Sequence, residues 1–380
     1  MAKKKQEEEL DIIDSIAADF KKDCYGTRSG EEIKQQDIIT TSSFWMDYTL
    51  GGGFRAGSWS RFYSDPELGK TSMALCWGRN WQDKYGDNAR VIYFNAEGRV
   101  NRDLLERTGI DTGKDRFRII DTNVYETIYD ITERLIKESD SKVKYFFIVD
   151  STDACLKKDD AIKGFGDSAK IAGGAAILSA AGKRLSLLFN CSGHHLFLCS
   201  QIRDTMATGP MAGKGVTKAP SGGHAPKFYS SLSGQIIKPW SGTYIYENPS
   251  DKKSNRIGVM TKIRLDKTPN ESTGRVVEIP IQYGLKGGVW RAYEAMMIAQ
   301  SWNIYKSGGT WWEVNEQWVP EMEKYEITVE TKVQGEKKLR ELFDSSPKLV
   351  EFCLEKGKIM AATEKTASKV SIGDAEGEDL

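Results

Sequence analysis

The sequence predicts an α/β fold with a mostly parallel central sheet, built around a phosphate-binding loop. Three observations predict it. From about residue 58, short apolar runs alternate with helical patterns, which argues strands covered by helices. A Gly-Lys-Thr loop joins the first run to the first helix. An acid ends a later run, where the strands of a parallel sheet meet their ligands.

In chain order, residues 8–22 carry a helical stripe of Leu10, Ile13, Ala17 and Phe20, with Ile12 and Ile16 beside it. That helix packs either on its own domain or on a neighbouring subunit. The strand candidates are Trp59–Tyr63, Val91–Asn95, Phe117–Ile120, Tyr145–Asp150 and Leu196–Gln201. Helical patterns at Ser72–Tyr85 and Glu126–Glu138 fall between them. After Gly234, Gln235–Lys238, Ile257–Leu265 and Arg275–Gln282 read as a meander that closes the sheet. Ala295–Trp302 reads as a helix, SGGTWWEVNEQWVP as a small turn or hairpin, and Glu336–Leu354 as one or two helices. The resulting organisation is an N-terminal helix and linker (1–34), a core (35–290), a small C-terminal α+β domain (291–363) and a disordered acidic tail (364–380).

Composition narrows the function classes. Lys+Arg and Asp+Glu both total 54, so any nucleic-acid site is local, a groove or a loop. The six cysteines form no C-x-x-C pair, which excludes zinc-ligand spacing. The opening MAKKKQEEEL lacks an apolar signal region, and no stretch approaches a membrane span. The chain reads as soluble and cytoplasmic, in a reducing compartment.

Ser64-Asp65-Pro66-Glu67-Leu68-Gly69-Lys70-Thr71 is the strongest local signal, running into Ser72 at the helix start. Backbone N–H groups and a helix N-terminus there cradle an anion. Lys70 reaches the β- and γ-phosphates, and the Thr71 hydroxyl ligates Mg²⁺. Ser64 stands where such loops carry glycine, so some backbone strain is expected. Asp150 closes an apolar strand and suits Mg²⁺, held through water; a helix N-cap is the alternative. Glu97 follows another strand on the same edge and suits a general base; an ordinary surface acid in a βα loop is the alternative. Gln201 ends a third strand just before a long Gly-rich stretch, where an amide can sense a γ-phosphate; a strand-end amide satisfied by backbone is the alternative.

Two Gly-rich stretches interrupt the core, at 157–174 and 203–223. The second shows no apolar periodicity and reads as a structureless functional loop. The first carries Lys157, Lys158, Lys163 and Lys170; the second carries Arg203, Lys214 and Lys218, with Lys227 just beyond. Such loops suit a phosphate backbone read without sequence preference, or are ordinary solvated loops.

Across residues 35–290 the chain resembles the RecA recombinase family. TLGGGFRAGS leading into YSDPELGKTS, then YFNAEGRV, FFIVDSTDA, LCSQIRD and GGHAPKFYSS carry the resemblance, in the family's order. The C-terminal part (AYEAMMIAQSWNIY and the Gly–Trp–Trp turn) is similar to phage UvsX-type recombinases, which would place the protein in a host cytoplasm. The resemblance implies a RecA-like P-loop ATPase core and an N-terminal oligomerisation helix that packs on the adjacent protomer. It implies a DNA-dependent ATPase that forms a filament on single-stranded DNA and pairs it with a homologous duplex. ATP and Mg²⁺ are the implied cofactors. Single- and double-stranded DNA, further copies of the chain, and mediator and single-stranded-DNA-binding proteins are the implied partners. Glu97 is implied to activate water, Asp150 to assist Mg²⁺, and Gln201 to couple the γ-phosphate to both loops. Lys267 is similar to the lysine that reaches a neighbour's ATP, whereas Leu265 stands where bacterial RecA has a second such lysine. A RecA-fold helicase, or an ATP-binding filament or mediator protein with weak hydrolysis, are the competing expectations; the N-terminal helix and GGHAPKFYSS speak against the helicase.

Overall fold

A computed structural model describes residues 35–163, 174–206, 216–220, 225–284, 288–328 and 330–375, with helical positions 12, 15–17 and 19 before them. Side chains are described outside 204–220 and only as far as 363. The chain runs β1 (Ile38–Ile39), α1 (Phe44–Leu50), β2 (Phe54–Arg55), β3 (Ser58–Ser64), α2 (Lys70–Tyr85), β4 (Ala89–Asn95), α3 (Arg102–Thr108), β5 (Phe117–Ile120), α4 (Tyr125–Glu138) and β6 (Lys144–Asp150). It continues through α5 (Lys158–Ile162), α6 (Gly174–Ser192), β7 (His195–Met206), β8 (Val216–Pro220), α7 (Ala225–Tyr229), β9 (Leu232–Ile236), β10 (Tyr244–Tyr246), β11 (Arg256–Lys267), β12 (Val276–Gln282) and β13 (Gly288–Val289). The last elements are α8 (Arg291–Ser301), β14 (Tyr305–Gly308), β15 (Trp311–Val314), α9 (Val319–Lys324), β16 (Lys332–Gln334), α10 (Gly335–Ser345) and α11 (Pro347–Ala375).

The main sheet has the order β13-β12-β11-β9-β3-β7-β6-β4-β5. From β9 to β5 neighbouring strands are parallel; from β9 outward through β11 to β13 they are antiparallel. The expected meander is present as β9-β11-β12, and β9 joins it to the parallel strands by lying parallel beside β3. β6 shows why the central strands read as unbroken apolar runs. Phe146 and Ile148 face one helical layer with Phe62, Trp77, Trp81 and Phe197, while Phe147 and Val149 face the other with Trp59, Leu185 and Phe189. A third apolar cluster joins α8, α10 and α11 to the small sheet β14-β15-β16 and reaches Phe44 of α1.

Three local expectations are corrected. Within the stretch 203–223 the described residues are strand: β7 runs on to Met206 and pairs antiparallel with β8, matching Arg203 to Ala219 and Met206 to Val216. Ladder pairing, with Thr205, Val216 and Thr217 as β-branched formers, replaces the missing apolar alternation. In the first loop, residues 158–162 form the short helix α5, and α6 begins at Gly174. The polar tail from 364 starts as helix, since α11 continues to Ala375 through Glu, Lys and Ala without a proline. Lys170 and Lys214 lie outside the described residues, as do Leu10, Ile13 and Phe20 of the N-terminal stripe. Of that stripe's neighbours, Ile12 and Ile16 are more than half exposed.

Candidate nucleotide site

Strand register brings the expected residues to one edge. Ser64 at the end of β3 pairs with Gln201 on β7, and Asn95 at the end of β4 pairs with Asp150 on β6. These are the carboxyl ends of parallel strands, where ligands of open α/β sheets bind. Backbone bonds from Ala96 N (3.0 Å) and Glu97 N (3.3 Å) to Asp150 O then fasten the Glu97 loop to β6.

The loop from Ser64 leads to α2, whose N-terminal neighbour Gly69 has φ 85° and open space where a Cβ would stand. Glycine is needed at that left-handed position. Ser64 is not strained: the loop's positive φ values fall at Glu67 (62°) and Gly69. A serine therefore fits the first position, and the strain expected there lies at Glu67. Ser64 is fully buried, and its hydroxyl has a specific partner. Lys70 Nζ donates to Ser64 Oγ at 2.8 Å, to Asp65 O at 3.0 Å and to Ser64 O at 3.4 Å. Burial pushes the Lys70 ammonium below its usual pKa, with Cys199, Asp150 and Glu97 acting in opposition.

Two carboxylates organise the rest. Asp150 Oδ2 accepts from Thr71 Oγ1 at 2.5 Å and from Tyr93 OH at 2.6 Å. Burial, then the Asp150 charge, holds the Tyr93 phenol well above its usual pKa, so it stays a donor. Glu97 Oε1 accepts from Ser151 Oγ and from Gln201 Nε2, the latter at 2.8 Å. Its Oε2 lies 3.5 Å from Arg99 Nη1. The backbone N–H of Gln201 donates to Asp153 Oδ2 at 2.6 Å. A cavity of about 570 Å³ adjoins the loop at Gly69 and Ser72, walled by Met73, Leu104, Ile281 and Tyr283 among others.

The donor set fits a triphosphate with Mg²⁺. A hydroxyl and a carboxylate meet at one point, a lysine is buried beside them, and the 16-residue helix α2 presents its free N–H groups.

Lys267 is not drawn into this group within the protomer. Its Nζ donates to Lys227 O (3.2 Å) and Phe228 O (2.7 Å), and burial, then Lys227, lowers its pKa. A register shift between Leu265 and Lys267 turns it off the strand's alternation. Leu265 is fully buried in the core, and Arg264 bonds Gln235 Oε1 (2.6 Å) and Asp266 Oδ1 (3.3 Å) of its own chain. Of the loop cations, Lys163 is paired with Asp160 and Arg203 with Asp153, while Lys158 and Lys227 are exposed and Lys157 is half-buried. Lys218 lies on β8 opposite Asp204.

Sequence reasoning missed Tyr93, Asp153 and Arg99. Tyr93 and Asp153 act across strands, where no sequence spacing signals them, whereas Arg99 pairs with Glu97 within one loop.

A family model described as the RecA N-terminal domain matches residues 9–287. "Protein RecA" of Streptococcus pyogenes serotype M49 is 28% identical over 307 residues, covering 80% of this chain and 76% of that protein. The namesakes of serotypes M5 and M1 match to the same extent, 28% over 307 residues. With a mostly parallel sheet and a site at its carboxyl edge, the chain belongs to the RecA recombinase family.

Proposed function

We propose that the chain is an ATP- and DNA-dependent recombinase, which forms a filament on single-stranded DNA and catalyses homologous pairing and strand exchange. One observation carries this reading: the hydrogen-bonded path from the loop carboxylates to the hairpin. Glu97 bonds Gln201, and Gln201 begins the part of β7 that continues into the β7–β8 pair. A change at the γ-phosphate position thereby has a mechanical route to the cations at 203–218.

The residues take distinct roles. N–H groups of Gly69 to Ser72 and the Lys70 ammonium bind the phosphates. Thr71 and Asp150 hold Mg²⁺, which when bound neutralises charge building on the phosphate oxygens. Glu97, held by Ser151 and Gln201, orients the attacking water and accepts its proton. Gln201 follows the γ-phosphate. The apolar cavity beside Ser72 takes the base. For Lys267 to reach a neighbour's phosphate it must release two carbonyls of α7, so binding at that site is coupled to assembly. Lys157, Lys158, Lys163, Lys170, Arg203, Lys214, Lys218 and Lys227 contact the DNA backbone. Among the described residues no helix is long and apolar enough to cross a membrane.

A second reading, an ATP-binding filament or mediator protein with weak turnover, draws on Lys70. The ammonium lies folded onto Ser64 and Asp65 rather than extended. One set of measurements separates the two: ATP turnover with and without single-stranded DNA, beside imaging with a slowly hydrolysed analogue. DNA-stimulated turnover with nucleotide-dependent helical filaments supports the recombinase. Filaments without turnover support the second reading, and no affinity for Mg²⁺-ATP sinks both.

A further inference from the structure

Asp153 lies three residues beyond Asp150 and has no part in the roles above. Its side chain is 2% exposed, although it stands at the ligand edge of the sheet. Two groups of β7 converge on it. Gln201 N donates to Oδ2 at 2.6 Å, and Arg203 Nε donates to Oδ1 at 3.1 Å. Arg203 Nη2 also donates to the Asp153 carbonyl at 3.1 Å. Arg203 is the first cation of the β7–β8 hairpin, and its side chain is 60% exposed. One carboxylate thus holds both the sensing strand end and the first cation beyond it.

We infer that Asp153 is a positioning residue, a latch that withholds Arg203 from the nucleic-acid backbone until Gln201 moves. The inference rests on the DNA-binding reading of the hairpin given above. Gln201 is tied at both ends, by its side chain to Glu97 and by its backbone N–H to Asp153. When the amide shifts toward a γ-phosphate, the N–H pulls away from Oδ2 and the carboxylate loses one of its two anchors. The guanidinium end of the pair faces solvent, so Arg203 is free to turn toward another anion, while the buried carboxylate, which keeps Arg203 in place as long as Gln201 stays, sets the threshold for release. A backbone phosphate offers Arg203 the same fork of acceptors that the carboxylate and carbonyl offer now. Exchange of one anion for the other is therefore tied to the movement of Gln201, which alters the carboxylate's remaining bond.

The test is fluorescence anisotropy of a labelled oligo-dT strand with the full chain over a series of salt concentrations. Each protein is measured without nucleotide and with Mg²⁺ and a slowly hydrolysed ATP analogue. Asp153→Asn should raise nucleotide-free affinity several-fold and steepen the log K against log salt slope by about 0.7, one added phosphate contact. Arg203→Gln should weaken binding with the analogue by a larger factor than it weakens nucleotide-free binding. The double variant should return to the nucleotide-free value of Arg203→Gln.

A gain from Asp153→Asn that persists without Arg203 would reduce Asp153 to simple repulsion of DNA and overturn the latch. So would an Arg203→Gln loss that is equal in both nucleotide states. That comparison stands alone if Asp153→Asn impairs folding, because the Arg203 side chain is largely exposed. Failure of the wild-type chain to bind single-stranded DNA in either state overturns the proposed function and the latch together. Nucleotide-enhanced wild-type binding with a flat mutant cycle overturns the latch alone.

Discussion

Replacing Ser64 by alanine removes the shortest contact of the Lys70 ammonium in the free protein, the 2.8 Å bond to Oγ. Carbonyls of Asp65 (3.0 Å) and Ser64 (3.4 Å) remain as acceptors, so the loss falls at the low end for a charged hydrogen bond. That is about 1.5 kcal/mol. If Lys70 must leave Ser64 to reach the phosphates, the nucleotide-bound state never had this bond. The variant then binds Mg²⁺-ATP more tightly by up to about 1.5 kcal/mol, roughly tenfold. Its nucleotide-free stability drops by a comparable amount. Calorimetric titration with a slowly hydrolysed analogue reads the first effect, and urea unfolding of the free chain reads the second. Loss of stability without a gain in affinity would refute the argument, because it would mean that Lys70 keeps Ser64 while gripping the ligand.

Three further outcomes are expected. Lys70→Ala should abolish the nucleotide dependence of DNA binding; binding that still responds to ATP would break the proposed link. Glu97→Gln should keep ATP binding, since its bonds to Ser151 and Gln201 can be remade by an amide, yet lower turnover by about 100-fold or more in a phosphate-release assay; normal turnover would reassign the base. Burial pushes the Glu294 carboxyl up to about 7, against hydrogen bonds from Ser43 and Phe44. A raised carboxyl means the folded chain binds more protons than the unfolded one, so this contribution is full below the ordinary carboxyl value of 4.5 and is lost as pH rises to about 7. The swing is on the order of 3 kcal/mol. Urea midpoints at acidic and mildly alkaline pH should differ less in Glu294→Gln than in the wild type; equal differences would exclude Glu294 as the source.

What could be read from the sequence, and what could not, divides along a physical line. β6 was legible because both of its faces are buried, which leaves an apolar run that only a polar strand end, Asp150, can punctuate. The loop at Ser64 was legible because glycine, lysine and threonine each answer a separate geometric need within eight residues. Tyr93 was not, because its phenol reaches Asp150 across a strand boundary, and register follows from pairing rather than from spacing. The β7–β8 pairing was hidden because the paired segments, Ile202–Met206 and Val216–Pro220, mix polar and apolar residues without alternation, and the ladder between them follows from backbone pairing. Ser64 misled for the opposite reason, since glycine at that position in other loops suggested a backbone demand that φ here does not make.

The same line separates Lys267 from the other expected site residues. Ser64, Lys70, Thr71, Glu97, Asp150 and Gln201 are joined within one protomer because parallel strands deliver their ends to one edge. Lys267 sits at the end of an antiparallel strand beyond β9, past a register shift, and spends its donors on the carbonyls of α7. Its half-buried ammonium with a lowered pKa gains from a new anion, but only by leaving those carbonyls. If Lys267 serves a neighbour's site as proposed, it adds nothing to nucleotide binding by an isolated chain and adds a phosphate contact on assembly. ATP turnover should then depend on protein concentration, and Lys267→Ala should remove that dependence; a dependence that survives the substitution would exclude the role.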